Sequence, residues 1–286
     1  MLPDGGEGSR LRECWSETRA PNRRPAAAPG DTAPLLLGSS RDGAGASPSD
    51  RLGGGTAGWL RRRSSRAYGG GMLVLEELTS RELELVLERG TTTAVIPFGS
   101  VEHQGRHLPL GSDALLADVV GEAVADRLDA VLAPTFRVGS ADQHVSGKGT
   151  LTVPPETLRE VALHIARSLI AQGFRILVLL STHAGNRGAL EQAAQELHRE
   201  HPDIEVCVPQ GDVGADPGTH SGRWITSVML LLRPDLVDVK SAHDDIKDEA
   251  LAATPQTGEK NLERFISSIV QAVPNASPGT VDSLPK

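Results

Sequence analysis

The sequence has little cysteine and few aromatic residues, and each shortage excludes a class of protein. Its 286 residues include only two cysteines, Cys14 and Cys207. Two cysteines cannot build a disulfide scaffold or a cysteine-rich zinc module. One tyrosine, four phenylalanines and three tryptophans also argue against an aromatic-lined pocket. A binding site in this chain is therefore expected to rely on polar side chains.

Long apolar runs and a secretory signal are missing as well. No apolar stretch reaches the roughly 18 residues that a membrane-spanning helix needs. The first residues, MLPDGGEGSR, lack the charged-then-apolar order of a secretory signal. We therefore expect a cytoplasmic protein that has no membrane partner.

Charge is distributed unevenly along the chain. Residues 1–71 hold 11 arginines, no lysine and 7 acidic residues, which gives a net charge of +4. The other 215 residues hold 18 basic and 30 acidic residues, which gives −12. Because phosphate contacts need clustered lysine and arginine, the acidic body argues against a nucleic-acid partner.

The first 71 residues are predicted to be a disordered head rich in glycine, arginine and proline. They contain 14 of the 31 glycines and show neither helical nor strand periodicity. One alternative is that Met72 is the natural start, because periodic sequence begins directly after it. A second alternative for the head is a basic binding arm built on Arg61, Arg62, Arg63 and Arg66.

At the other end of the chain, residues 274–286 are predicted to form a flexible tail.

Helical and strand patterns alternate from Met72 onward. Short apolar runs predict strands at 93–98, 131–133, 176–180 and 204–208. Helices are predicted after the capping box Thr79-x-x-Glu82, after Ser112, from Pro154–Pro155 to Gly173, after Asn186 and near 259–272. This alternation predicts one α/β domain over residues 72–273, with a mostly parallel central sheet.

Polar side chains concentrate where predicted strands end. Ligands of open parallel sheets bind beyond the carboxyl ends of the strands. His183 follows the apolar strand 176–180, and the loops 139–149 and 211–222 supply His144 and His220. The segment after strand 93–98 holds Glu102, His103, Gln104, His107 and Asp113.

Glutamate, aspartate and histidine from separate loops suit a divalent metal such as zinc, manganese or iron. A metal with open coordination positions supports hydrolysis. The alternative is that these are ordinary polar loop residues, with Ser112 and Asn186 serving only as helix caps. A phosphate or nucleotide site at residues 211–222 is not favoured, because neither a GxGxxG motif nor a P-loop lysine follows a strand.

Four segments resemble, in the same order, the signature motifs of the creatininase family, and they cover roughly residues 73–240. The segments are GSVEHQGRHLPLGSDALLAD, VGSADQHVSGKGTLTV, STHAGNRGAL and GTHSGRWITSVMLLLRPDLVD. The resemblance includes the branch of mycofactocin-precursor peptidases. It implies a three-layer α/β/α fold and a homo-oligomer. It also implies a dinuclear metal centre that hydrolyses small amides, cyclic amides or peptides.

The resemblance also assigns roles to individual residues. Glu102 and His183 match ligands of the first metal, and Asp113 matches the carboxylate that bridges both metals. His144 and His220 match pocket histidines, which we expect to act as catalytic residues that orient substrate or shuttle a proton. Gln104, His107 and Trp224 are expected to bind substrate, although a packing role for Trp224 is an equal alternative.

Three departures from the family pattern affect the second metal. The family's Glu-Gln-His order is inverted here, since Glu102 is followed by His103 and then Gln104. Side chains two apart in extended backbone share a face, so the ligand position two after Glu102 is taken by Gln104, a poor metal donor. His103 becomes a metal ligand only if the loop is irregular. Ile225 and Gly185 stand where family members supply a carboxylate.

These departures predict one metal per chain, held by Glu102, Asp113 and His183. The leading hypothesis is a metal-dependent amidohydrolase with a mononuclear or altered centre. The alternative is a non-catalytic binding or maturation-helper protein that retains the fold. Ile225 favours the alternative, whereas the joint presence of the three ligands favours the hydrolase.

Overall fold

A computed structural model describes residues 72–214 and 219–274, and its centre is a five-stranded parallel sheet. The described residues all belong to the same compact unit. The spatial order of the strands is β1-β3-β2-β4-β5, and all neighbouring pairs are parallel. The strands are β1 (Leu73–Val74), β2 (Thr93–Phe98), β3 (Val131–Leu132), β4 (Ile176–Ser181) and β5 (Glu205–Cys207).

Strands β2 and β4 form the middle of the sheet. They pair along their whole length, from Thr93 opposite Ile176 to Phe98 opposite Ser181. Every residue of β2 is buried, as expected for a parallel strand that is covered on both faces. The carboxyl ends of β2 and β4 therefore meet at the same edge of the sheet.

Helices cover both faces of the sheet, so the predicted three-layer α/β/α fold is confirmed. One apolar layer contains Val95 and Val178 with residues of α2, α5 and α7, and the other contains Ile96 and Leu177 with residues of α1, α3 and α4. The helices are α1 (Ser80–Glu88), α2 (Ser112–Arg127), α3 (Pro155–Gln172), α4 (Arg187–Glu200), α5 (Arg223–Leu232), α6 (Lys247–Leu251) and α7 (Pro255–Ala272).

Local signals place the ends of two helices as predicted. The Thr79 side chain accepts a hydrogen bond from the Glu82 amide, and the Glu82 carboxylate accepts one from the Thr79 amide, which completes the capping box of α1. Helix α3 begins at Pro155 and ends at Gly173, whose positive φ of 114° suits a residue without a Cβ.

Two predicted helix caps are wrong, because both side chains make other hydrogen bonds, Ser112 with the preceding turn and Asn186 with distant loops. Ser112 lies inside the first turn of α2, and its hydroxyl donates to the Pro109 carbonyl at 2.7 Å. Asn186 precedes α4 but makes no side-chain capping bond. Helices α5 and α6 were not predicted from the sequence, and α7 begins at Pro255, a few residues earlier than expected.

The predicted head, its possible basic arm and the tail from residue 275 lie outside the described residues. Their disorder and the start at Met72 therefore stay predictions. Within the described part of the chain, none of the helices combines the length and apolar character needed to cross a membrane.

Candidate metal centre

Three predicted metal ligands converge at the carboxyl ends of β2 and β4. Glu102 lies in the loop after β2, and its amide donates to the Leu110 carbonyl at 2.9 Å, which closes that loop. Asp113 lies in the first turn of α2, and His183 lies two residues after β4. All three side chains are buried, and Glu102 is fully buried.

We call Glu102, Asp113 and His183 the buried half of the site. His183 Nδ1 lies 3.2 Å from Glu102 Oε2 and 3.4 Å from Asp113 Oδ2. Two ligands about 2.0–2.2 Å from a tetrahedral metal lie about 3.3–3.6 Å apart. The spacing of these three atoms therefore fits ligands arranged around one cation.

A hydrogen bond fixes the orientation of the His183 ring. His183 Nε2 lies 2.9 Å from the Ser140 carbonyl oxygen, and since that oxygen can only accept, Nε2 carries the proton. In the neutral ring, Nδ1 then presents its lone pair to the two carboxylates. This second hydrogen bond of a ligating histidine is the usual device for holding the tautomer that binds metal.

Asn186 braces the backbone behind His183. Its Oδ1 accepts from the Ser140 amide at 2.9 Å, and its Nδ2 donates to the Gly99 carbonyl at 2.9 Å. The neighbouring Gly185 is tightly enclosed, since a Cβ there would overlap the Ser140 carbonyl oxygen and His183 Nε2. The loops after β2, β3 and β4 are thus joined directly behind the buried half.

His144 and His220, which we call the open half of the site, approach Glu102 from the other side. His144 Nε2 and His220 Nδ1 lie 3.7 and 3.6 Å from Glu102 Oε1, and the two rings stack with their centroids 3.9 Å apart. His220 Nε2 donates to the His103 carbonyl at 2.8 Å, which leaves its Nδ1 facing Glu102. Their side chains are 20% and 38% exposed. Glu102, His144 and His220 thus form a second group with the spacing of metal ligands.

The buried carboxylates and imidazoles shift each other's protonation. Burial raises the pKa of Glu102 to about 7, and the charge of Asp113 adds to that effect. Burial alone would lower the pKa of His183, but Asp113 and Glu102 outweigh it, so the pKa is raised. Burial and the neighbouring histidines lower the pKa of His144. The buried half therefore favours a bound positive charge, whereas His144 favours its neutral form.

The other predicted site residues occupy different depths. Gln104 is buried against both carboxylates, whereas the His103 side chain lies against Gly147 and belongs to neither group of metal ligands among the described residues. His107 is buried, and its Nε2 pairs with the Thr226 hydroxyl at 3.0 Å. Burial also lowers the pKa of His107. The roles predicted for these residues stay predictions.

A cleft of about 310 Å³ opens over both halves of the site. Trp224 lines it and packs against Phe265 with ring centroids 5.4 Å apart. The Trp224 indole nitrogen is buried and has no hydrogen-bond partner among the described residues. The sequence did not point to Phe265, Val213 or Ser221 as cleft residues, because Phe265 looked like an ordinary apolar position of a helix and the other two lie in loops.

The fold and the site together define a metal-dependent hydrolase that acts on carbon–nitrogen bonds. The chain belongs to the creatininase family: the sequence profile of that family, described as creatinine amidohydrolase, matches residues 76–268. The predicted family, fold class and hydrolase function are thereby confirmed.

Individual relatives and solved structures agree with this assignment. The chain is 34% identical to a mycofactocin precursor peptide peptidase of Mycobacterium ulcerans (strain Agy99), over 55% of this chain and 69% of the relative. It is 30% identical to a creatinine amidohydrolase of Pseudomonas putida, over 59% and 75% of the two chains. A crystal structure of creatinine amidohydrolase matches with a TM-score of 0.65 and 26% identity, over 73% of this chain and 99% of the other. Further creatininase structures of this fold are described as a manganese form and a Zn–Zn form.

Proposed function

We propose that the chain hydrolyses a small amide, a cyclic amide or a peptide bond with a single divalent cation bound by Glu102, Asp113 and His183. Two carboxylate oxygens and one imidazole nitrogen form a donor set that suits zinc, manganese or iron and leaves coordination positions open. A cation held in this way activates water and polarises the scissile carbonyl group. Residues 72–273 would form the catalytic domain.

One observation carries this proposal: Glu102 Oε2 is buried and has no hydrogen-bond partner among the described residues, although His183 Nδ1 lies 3.2 Å away. His183 Nε2 already donates to Ser140, so the neutral ring presents a lone pair, and no proton, to this oxygen. Lone pairs that face each other in a buried site are costly unless a proton or a metal cation lies between them, and a metal cation also satisfies Asp113. The chemistry of the donor set therefore fits a resident metal.

The open half supports the proton transfers that amide hydrolysis needs. His144 and His220 face the cleft, and one nitrogen of each ring lies near Glu102 Oε1. A neutral His144 is able to accept a proton, and His220 is held in place by its bond to the His103 carbonyl. We assign proton transfer and substrate orientation to these two residues.

We assign substrate binding to residues that line the cleft or support its lining. Trp224 lines the cleft, and its indole N–H, which is buried and has no partner among the described residues, would donate to a substrate carbonyl oxygen only after the ring turns toward the cleft. Gln104 contacts both carboxylates and is also close enough to the cleft to touch substrate. His107 contacts Thr226 behind Ser221, and this position favours a supporting role over direct contact.

Metal analysis of the purified protein tests the proposal. We expect about one equivalent of zinc, manganese or iron in the wild type and essentially none in His183→Ala, together with loss of hydrolysis in a panel of cyclic amides and short peptides. His198→Ala is the matched control, because His198 is an exposed histidine in the last turn of α4. Full activity of His183→Ala, or a wild type that binds no metal under metal-replete conditions, would contradict the proposal.

The cytoplasmic location and the homo-oligomer, which were expected from the sequence, stay predictions.

A further inference from the structure

Gln104 makes contacts that are unusual for a residue between two buried carboxylates. Its Nε2 lies 3.3 Å from Glu102 Oε1 and 3.0 Å from Asp113 Oδ2, so both amide hydrogens are directed at carboxylate oxygens. The side chain is only 2% exposed. The uncharged amide thus donates to both carboxylates, which would otherwise face each other with no hydrogen-bond donor between them.

The orientation of this amide is determined by a third residue. The Ser221 hydroxyl donates to Gln104 Oε1 at 3.2 Å. If the amide were flipped, its oxygen would face two carboxylates, so the hydrogen-bond network allows one orientation. Ser221 itself has a positive φ of 61°, which is uncommon for a residue with a side chain. Its carbonyl accepts a bond from Thr226 at 3.3 Å, which supports this backbone conformation.

We propose that Gln104 limits the site to one cation, because its side-chain nitrogen takes the place that a second cation would share between Glu102 and Asp113. An amide nitrogen only donates, so it cannot act as a ligand, and its hydrogens repel a cation. The position between Glu102, Asp113 and His183 keeps the spacing of metal ligands. This inference rests on the proposed function, since it assumes that the buried half binds metal.

The charge of the site favours the same conclusion. With Gln104 in place, the carboxylates of Glu102 and Asp113 share one amide and one cation, and Ser100 donates a further hydrogen bond to Asp113 Oδ2 at 2.9 Å. Replacing the amide by a carboxylate would remove the donor and add an oxygen ligand at the same point. The isosteric change Gln104→Glu should therefore create a second cation position between the existing carboxylates.

Metal stoichiometry after saturation with Mn²⁺ and gel filtration tests this inference without relying on turnover. We expect about one ion per chain in the wild type and about two in Gln104→Glu. The matched control is Gln143→Glu, which adds the same charge at an exposed position of the same cleft and should still bind about one ion. Electron paramagnetic resonance provides a second readout, because an isolated Mn²⁺ gives a resolved hyperfine pattern and a coupled pair gives a broadened spectrum.

Each outcome of this experiment has a distinct meaning. Two ions in the wild type would overturn the inference, and the Glu102–His144–His220 group would then be the second position. One ion in both the wild type and Gln104→Glu would overturn it while leaving the proposed function intact. A second ion in Gln143→Glu would show a general charge effect and would also overturn it. No ion in the wild type would instead contradict the proposed function. If Gln104→Glu does not fold, as judged by circular dichroism, Gln104→His is measured in its place with the same expectation.

Discussion

Glu102 faces imidazole rings on both sides, but the buried half and the open half of the site are supported differently. In the buried half, His183 bonds to Ser140, Asp113 accepts a bond from Ser100, and Glu102 is fully buried. In the open half, His144 and His220 are partly exposed and stack mainly on each other. The buried half therefore has more of the contacts that position metal ligands, whereas in the open half His220 is held by its bond to the His103 carbonyl.

This contrast indicates that the buried half binds the cation and that the open half transfers protons. A metal site gains affinity from rigid, dehydrated ligands, whereas a proton carrier needs access to the cleft and freedom to change its protonation. The buried half is positioned by backbone at the ends of β2 and β4, and the open half is positioned by longer loops. Substitutions in the two halves should therefore have separable effects.

The largest effect is expected from His183→Ala, which would disrupt the buried half. Loss of a supporting residue around a metal typically costs about 10–100-fold, so loss of a ligand should reduce kcat/KM by about 1,000-fold or more and remove the bound metal. Plasma mass spectrometry and steady-state kinetics measure both changes. Metal content that stays at the wild-type value would show that the buried half is not the metal site.

His220→Ala tests whether the open half acts without holding the cation. We expect kcat to fall by about 100-fold while the metal content stays unchanged, because removal of a positioned proton carrier typically costs about that much. His164→Ala, an exposed histidine of α3, is the control and should behave as the wild type. Loss of metal in His220→Ala would instead place this ring among the ligands.

Asn186→Ala tests how much the contacts behind the buried half contribute to the stability of the fold. Two buried backbone groups, the Ser140 amide and the Gly99 carbonyl, would lose their partner, at a combined cost of about 2–4 kcal/mol in the free energy of unfolding. Asn186→Asp keeps the acceptor for Ser140 and should lose about half as much. Urea denaturation measures both. Equal stability of Asn186→Ala and the wild type would show that water replaces these contacts without cost.

The smallest effect is expected from Trp224→Phe, which removes the unpaired indole N–H and keeps an aromatic ring against Phe265. If the indole contacts substrate, KM should rise by about 3–10-fold, the value of one hydrogen bond, while the unfolding midpoint changes little. A fall in stability with an unchanged KM would assign Trp224 to packing alone. This variant therefore decides between the two roles that the sequence left open.

The sequence predicted much of the frame and the convergence of the candidate metal ligands. Strands 93–98 and 176–180 were recognisable because buried parallel strands are continuous apolar runs. Glu102, Asp113 and His183 were then expected to converge because parallel strands end at one edge of the sheet. Local patterns and one topological rule were sufficient for the strands and for this convergence. The choice of these three residues as metal ligands rested on the resemblance to the creatininase family, and it stays a prediction.

Contacts between distant segments were not predictable in the same way. Asparagine often caps helices, but the Asn186 side chain instead joins the loops after β2 and β3. Nothing in the adjacent sequence indicates those partners. The contact between Ser221 and Gln104 joins residues 117 positions apart in the chain. Such details depend on how loops pack against each other, and local periodicity carries no information about that.

The enclosure of Gly185 limits how a further metal ligand could be introduced into this site. Any side chain at this position would collide with the carbonyl of Ser140 and with the ring of His183, so a carboxylate cannot be added there by one substitution alone. The loop around Ser140 would have to move as well, and that change would disturb the ring orientation on which His183 depends. Compensating changes in the Ser140 loop must therefore accompany any redesign that builds a second metal site from position 185.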